Sequence, residues 1–139
     1  MIQELSNKLK ALFDTLKGTG KPLVEVLDYH SLDNTGYPYL TFEPVEFTAS
    51  VLDTCDNTRT YSFDVVIFQE LTTRKQAKEI LSKCLDEVIE VLDKNFTLDY
   101  NFVQRVVPTN GRIEPFIIQN GKALVATLRV DIITYANIK

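Results

Sequence analysis

Arg59-Thr60-Tyr61-Ser62-Phe63-Asp64-Val65-Val66-Ile67-Phe68 is the stretch that decides the fold. Tyr61, Phe63, Val65 and Ile67 fall on one side of an extended chain and Thr60, Ser62 and Asp64 on the other, because successive side chains of a strand point to opposite faces. This alternation predicts a sheet with one side against a core and the other toward water.

Beyond that strand the periodicity changes. Thr73 with Gln76 three residues on forms a capping box, and Ala77, Ile80, Leu81, Cys84, Leu85, Val88, Ile89 and Leu92 recur at helical steps. A helix over 74–93 follows, roughly 30 Å long and able to cross a whole sheet. Glu79 with Lys83, and Glu90 with Lys94, stand four apart on its solvent face, where each pair adds a few tenths of a kcal/mol.

Ahead of the deciding strand, Ile2, Leu5, Leu9, Leu12, Phe13 and Leu16 mark a first helix, ended by Gly18, Gly20 and Pro22. Leu23 to Leu27 reads as a short strand leading into a turn-rich loop, His30 to Gly36. Tyr37-Pro38-Tyr39-Leu40-Thr41-Phe42-Glu43-Pro44 alternates, but its prolines cannot donate to a ladder, so it should be short or at an edge. Val45 to Leu52 continues it after a bend. The last third predicts strands over Phe102 to Val107 and Ile113 to Gln119, then a hairpin at Asn120-Gly121 and a return over Ala123 to Tyr135. There Leu124, Ala126, Leu128, Val130 and Ile132 oppose Thr127, Arg129 and Asp131. The expected fold class is α+β, one domain over residues 1–139: a mainly antiparallel sheet with both helices on one face, order α-β-β-β-α-β-β-β.

Composition narrows the function. With 45% hydrophobic and 24% charged residues the chain is ordinary globular material. A net charge of −4 argues against a protein built to coat nucleic acid. The first residues lack the apolar run of a secretory signal and no stretch approaches a membrane span, which predicts a protein kept in the cytosol unless exported. Cys84 falls among helical apolar positions and Cys55 in a polar loop, so neither reads as half of a disulfide. The sequon at Asn95-Phe96-Thr97 is a chance match on such a route.

No catalytic constellation emerges. His30 is the only histidine, and neither phosphate-cradling glycine motif occurs. Asp28, His30 and Asp33 could hold a divalent metal, but turn residues beside an exposed histidine are the better reading. Asp53, Asp56 and Asn57 lack the glycine and glutamate of a calcium loop. Glu43 with Glu46, and Glu114 beside Pro115, are acids without a pocket to shift them. The expectation is a protein that is not an enzyme and needs no cofactor. Tyr37 and Tyr39, next to prolines on a strand edge, suit a partner surface, with core packing of one of them as the alternative.

Gly36-Tyr37-Pro38-Tyr39-Leu40-Thr41-Phe42-Glu43-Pro44, followed by Arg59-Thr60-Tyr61-Ser62-Phe63-Asp64-Val65, then Gln69-Glu70, the long helix and the final strand, resembles the small tail-terminator and tail-completion proteins of long-tailed bacteriophages. The resemblance spans most of the chain and its motifs are structural. It implies a homo-oligomeric ring, six-membered, on the head-proximal end of the tail tube, located in the virion and assembled in the host cytoplasm. Its implied partners are further copies of itself, the tail tube protein and a neck or head-completion protein. No membrane or sequence-specific nucleic acid is implied, though DNA would pass through the lumen. On that reading the loops Thr48 to Thr58 and Val107 to Arg112 carry the contacts, with Asp53, Asp56, Arg59, Arg105 and Arg112 as opposed charges. The rival readings are a neck or head-completion (head–tail connector) role, a small-molecule-binding α+β domain with convergent polar groups such as Gln69 and Gln104, and an adaptor using strand addition.

Overall fold

The computed structural model describes residues 1–32, 36–51, 57–71, 73–118 and 121–135. Its elements are α1 (Ile2–Asp14), β1 (Glu25–Leu27), β2 (Tyr39–Val51), β3 (Asn57–Glu70), α2 (Arg74–Lys94), β4 (Val103–Ile118) and β5 (Gly121–Tyr135). The strands form one sheet in the order β1-β2-β3-β5-β4, antiparallel throughout except where β1 runs parallel to β2. The α+β class, the dominant antiparallel pairing and the helix positions are as the sequence predicts.

Among the described residues one strand fewer is present than the alternation suggested. The stretches expected as two strands, Phe102 to Val107 and Ile113 to Gln119, belong to the single long β4. The pairing with β5 slips between Thr109 and Arg112 but does not stop. Asn110 takes a left-handed backbone there, φ 53°, a conformation asparagine tolerates better than most residues. A bulge of this kind absorbs extra residues without ending the ladder. Val107 to Arg112 is therefore bulged strand, not loop, and Thr48 to Val51 likewise belongs to β2.

β2 fits the edge expectation in part. β1 pairs only with Tyr39, Leu40 and Thr41, so the rest of this 13-residue strand has no neighbour on that side among the described residues. Pro44 sits just past the end of that pairing, followed by a register slip between Pro44 and Glu46. At the opposite edge β4 carries Pro108 and Pro115 beside its own two slips. Proline and bulges are the usual means of keeping a sheet edge from recruiting further strands.

Cross-strand register sorts the side chains. Leu40, Ile67, Ala126 and Ile113 form one row, and Phe42, Val65 and Leu128 the next. These join Leu5, Leu9 and Phe13 of α1 and Ala77, Leu81, Cys84, Val88 and Leu92 of α2 in a single buried cluster. Both helices thus cover the same side of the sheet. Phe13 meets Phe42 edge-on with centroids 5.3 Å apart, the arrangement favoured by ring quadrupoles. Thr73 caps α2, accepting from the Gln76 amide at 3.4 Å. Glu90 and Lys94 pair at 2.7 Å, whereas Glu79 and Lys83 form no ion pair among the described residues.

Candidate interaction surface

The side of the sheet away from the helices is the most distinctive surface. Its rows, read across β2, β3, β5 and β4, are Tyr39–Phe68–Val125–Glu114, Thr41–Val66–Thr127–Arg112, Glu43–Asp64–Arg129–Thr109 and Glu46–Ser62–Asp131–Val107. One end is apolar and the rest polar.

At the apolar end Tyr39 stacks on Phe68, centroids 4.7 Å apart and planes 10° apart, with Tyr37 tilted against Tyr39 at 5.6 Å. Tyr39 is only 1% exposed, and its hydroxyl donates to the Ser31 carbonyl at 3.3 Å. It is therefore a packing residue, covered by the segment after β1, while Tyr37 stays half-buried. The same segment places the His30 amide on Glu43 Oε1 and His30 Nδ1 against Thr41 Oγ1, both at 2.9 Å. His30 thus anchors a loop over the sheet.

The polar end centres on Arg129. Its Nε donates to Asp131 Oδ1 at 3.0 Å, and its Nη2 to Glu46 Oε2 at 2.8 Å and Ser62 Oγ at 2.9 Å. Ser62, 1% exposed, donates onward to Asp131 at 2.6 Å. Hydrogen bonds to Asp131 and then Glu46 raise the Arg129 guanidinium above its ordinary value. Asp64, Arg112, Glu114 and Arg129 line an open depression of about 620 Å³ beside the β4 bulge. Its mixed charge and openness suit side chains of a partner better than a small ligand, which is normally enclosed by mainly apolar walls.

Of the positions singled out from sequence, Arg105 and Arg112 lie on β4, exposed and on the helix-free side, opposite Ile133 and Thr127. Neither forms an ion pair among the described residues. Arg59 is also exposed, but its strand partner Thr134 is buried. The three arginines are thus separate on the sheet. Asp53, Asp56, Asp33 and Cys55 lie outside the described residues. Gln104 stands at the first β4 slip, lining a shallow hollow with Asp93, Phe96 and Arg105. Gln69 has a buried Oε1 with no hydrogen-bond partner among the described residues. The two glutamines are on different strands and do not converge.

Arg129, Glu46 and Ser62 were not predicted as a unit. The alternation puts Arg129 and Ser62 on the polar side of their strands, but only register brings positions 46, 62, 129 and 131 together. A second surface feature lies on the helix side of β2, where Phe47 (51% exposed) leans on Tyr61 at 5.4 Å, next to Met1 and Ile2. No helix among the described residues is long and apolar enough to cross a membrane.

Among solved structures the chain is similar to one in the virion of a native gene transfer agent (GTA) particle, with a TM-score of 0.51 and 12% identity, over 89% of this chain and 83% of that one. At this identity the likeness is one of fold. No protein-family model matches the chain, and no curated protein matches it.

Proposed function

We propose that this chain is a non-catalytic structural protein of a phage-like virion, a tail-terminator or tail-completion subunit. It forms a closed homo-oligomeric ring, six-membered by the family resemblance, that caps the head-proximal end of a tail tube and joins it to the neck. The observation carrying this reading is the fold shared with a virion chain over 89% of the length, together with the sequence resemblance described above.

Surface chemistry supports it. Arg105 and Arg112 are exposed without an ion-pair partner among the described residues, and Phe47, Met1 and Ile2 leave apolar area at the β2 edge. Both sheet edges carry proline and bulges, which disfavour open-ended strand pairing and leave assembly to side-chain contacts closed by cyclic symmetry.

Native mass spectrometry over a concentration series, with and without magnesium, followed by negative-stain imaging, tests the proposal. Closed rings with a central opening are expected, and purified tail tubes should bind them at one end. A chain that stays monomeric at every concentration and ignores tube ends overturns it. Reversing Asp53 and Asp56 together should weaken assembly while leaving the melting temperature unchanged.

A further inference from the structure

The charges on α2 are divided along its length. Its first half carries Arg74, Lys75, Lys78 and Lys83 with only Glu79 against them; its second half carries Asp86, Glu87, Glu90 and Asp93 with only Lys94. Except for half-buried Glu87, all of these are exposed, and the stripe through Ala77, Leu81, Cys84, Val88 and Leu92 faces the core. The division is therefore a property of the outward face.

Within the isolated chain this arrangement gains little. A helix N-terminus carries partial positive charge, so Arg74 and Lys75 in the first turn, with no acid beside them, add to the macrodipole, whereas Lys94 offsets Asp93 in the last turn. Like charges fall at neighbouring steps, Arg74 with Lys78 and Lys75 with Lys78 at one end, Asp86 with Glu90 and Glu90 with Asp93 at the other, and repel, while Lys75 with Glu79, Glu79 with Lys83 and Lys83 with Glu87 attract, so the two sets roughly cancel. Only Glu90 finds an ion-pair partner within the helix, Lys94 at 2.7 Å. The division leaves two oppositely charged patches on one face, and another copy of the chain supplies the complement of each, one half per contact.

We infer that the outward face of α2 docks on a second copy of this chain, the basic first half of one helix against the acidic second half of the next. This deepens the ring reading and rests on it, since a contact whose two sides differ propagates in one direction and closes by rotation. Nucleic acid fits the face less well, because its phosphates would meet four carboxylates about 16 Å along the same helix from the basic half. The contact is electrostatic and peripheral to the core, so it governs encounter and orientation and weakens with salt.

Two triple variants test it, Lys75→Glu/Lys78→Glu/Lys83→Glu and Asp86→Lys/Glu90→Lys/Asp93→Lys, by sedimentation velocity of each alone and of an equimolar mixture. Each alone should need roughly tenfold or more protein to assemble than the unaltered chain. The mixture should assemble again, at one-to-one stoichiometry. Far-UV circular dichroism serves as the folding control, and recovery of assembly in the mixture separates loss of the contact from loss of the fold, since each helix there keeps its own like-charge repulsions. Assembly of either variant alone at the unaltered concentration, or a mixture that stays monomeric, overturns the helix contact. If the unaltered chain forms rings that neither variant disturbs, the helix contact alone fails; if the unaltered chain never assembles, the ring reading fails with it.

Discussion

Arg129 on β5 bonds Glu46 on β2 at 2.8 Å, across the intervening β3 and 83 residues of sequence. The bond ties the two strands that flank β3 through the buried Ser62 hydroxyl that lies between them. Replacing Arg129 with Met removes three polar contacts and leaves Ser62 and Asp131 to satisfy each other. The melting temperature should fall by a few degrees, and Glu46→Gln should add little once Arg129 is gone, a non-additivity expected of neighbours in one network. Arg105→Met, at an exposed position with no ion pair among the described residues, should leave the melting temperature unchanged.

The core of α2 and its cap separate by magnitude. Leu81 is fully buried, so Leu81→Ala should cost about 3 kcal/mol by urea denaturation, the usual range for a cavity left in a packed core. Thr73→Ala should cost only about 0.5 kcal/mol, the low end for an N-cap, because its bond to the Gln76 amide is long at 3.4 Å. Equal losses at the two positions would contradict this packing.

The β4 bulge makes a contrasting pair of predictions. Asn110 has φ 53°, and Asn110→Val places a β-branched residue in the left-handed region at a cost of about 1–2 kcal/mol. At Gly111 an added Cβ would lie 3.7 Å from Leu85 Cδ2 and 3.9 Å from Leu128 Cδ1, ordinary contact distances. Gly111→Ala should therefore be nearly neutral, by the same urea measurement.

Cys84 is 2% exposed, and burial, the largest influence on it, pushes its thiol up from 9.0 to about 11. In a Cys55→Ser background, iodoacetamide at neutral to mildly alkaline pH should modify the folded chain far more slowly than the urea-unfolded one, since only thiolate reacts. The sign of the linked stability change follows from proton counts. Above the unfolded value the unfolded thiol has lost its proton and the folded one has not, so the unfolded state binds fewer protons and stability falls as pH rises from about 9 toward about 11. Cys84→Ala should remove that contribution to the alkaline slope.

Much of this architecture was legible in the residues. Period-two alternation in β3 and β5 and the helical stripe of α2 depend on neighbours a few positions apart, and both are present as read. The division of β4 into two strands failed because proline, asparagine and glycine at 108–111 carry the same local signal for a turn as for a bulge. Only a partner strand running past without interruption decides between them. Tyr37 and Tyr39 look alike in sequence, yet the segment around Ser31 covers one and leaves the other half-buried. The Arg129 network was out of reach for a different reason: it depends on register between strands far apart in the chain.

The shortness of β1 bears on how the molecule comes apart. Three residue pairs hold this strand to β2, while α1 packs on β1, β2 and α2 and Leu23 returns to the α1 exit through the Leu16 carbonyl. The hydrogen-bonded seam from β1 to β2 is thus narrow, and it is burial of Leu5, Leu9 and Phe13 that holds the N-terminal segment, whereas β3 and β5 are laddered on both sides. Amide hydrogens should accordingly exchange in two tiers, those of β1 by a local opening and those of the centre of β3 only by global unfolding. So short a strand would let the sheet edge loosen while α1, held by Leu5, Leu9 and Phe13, keeps its place on the core.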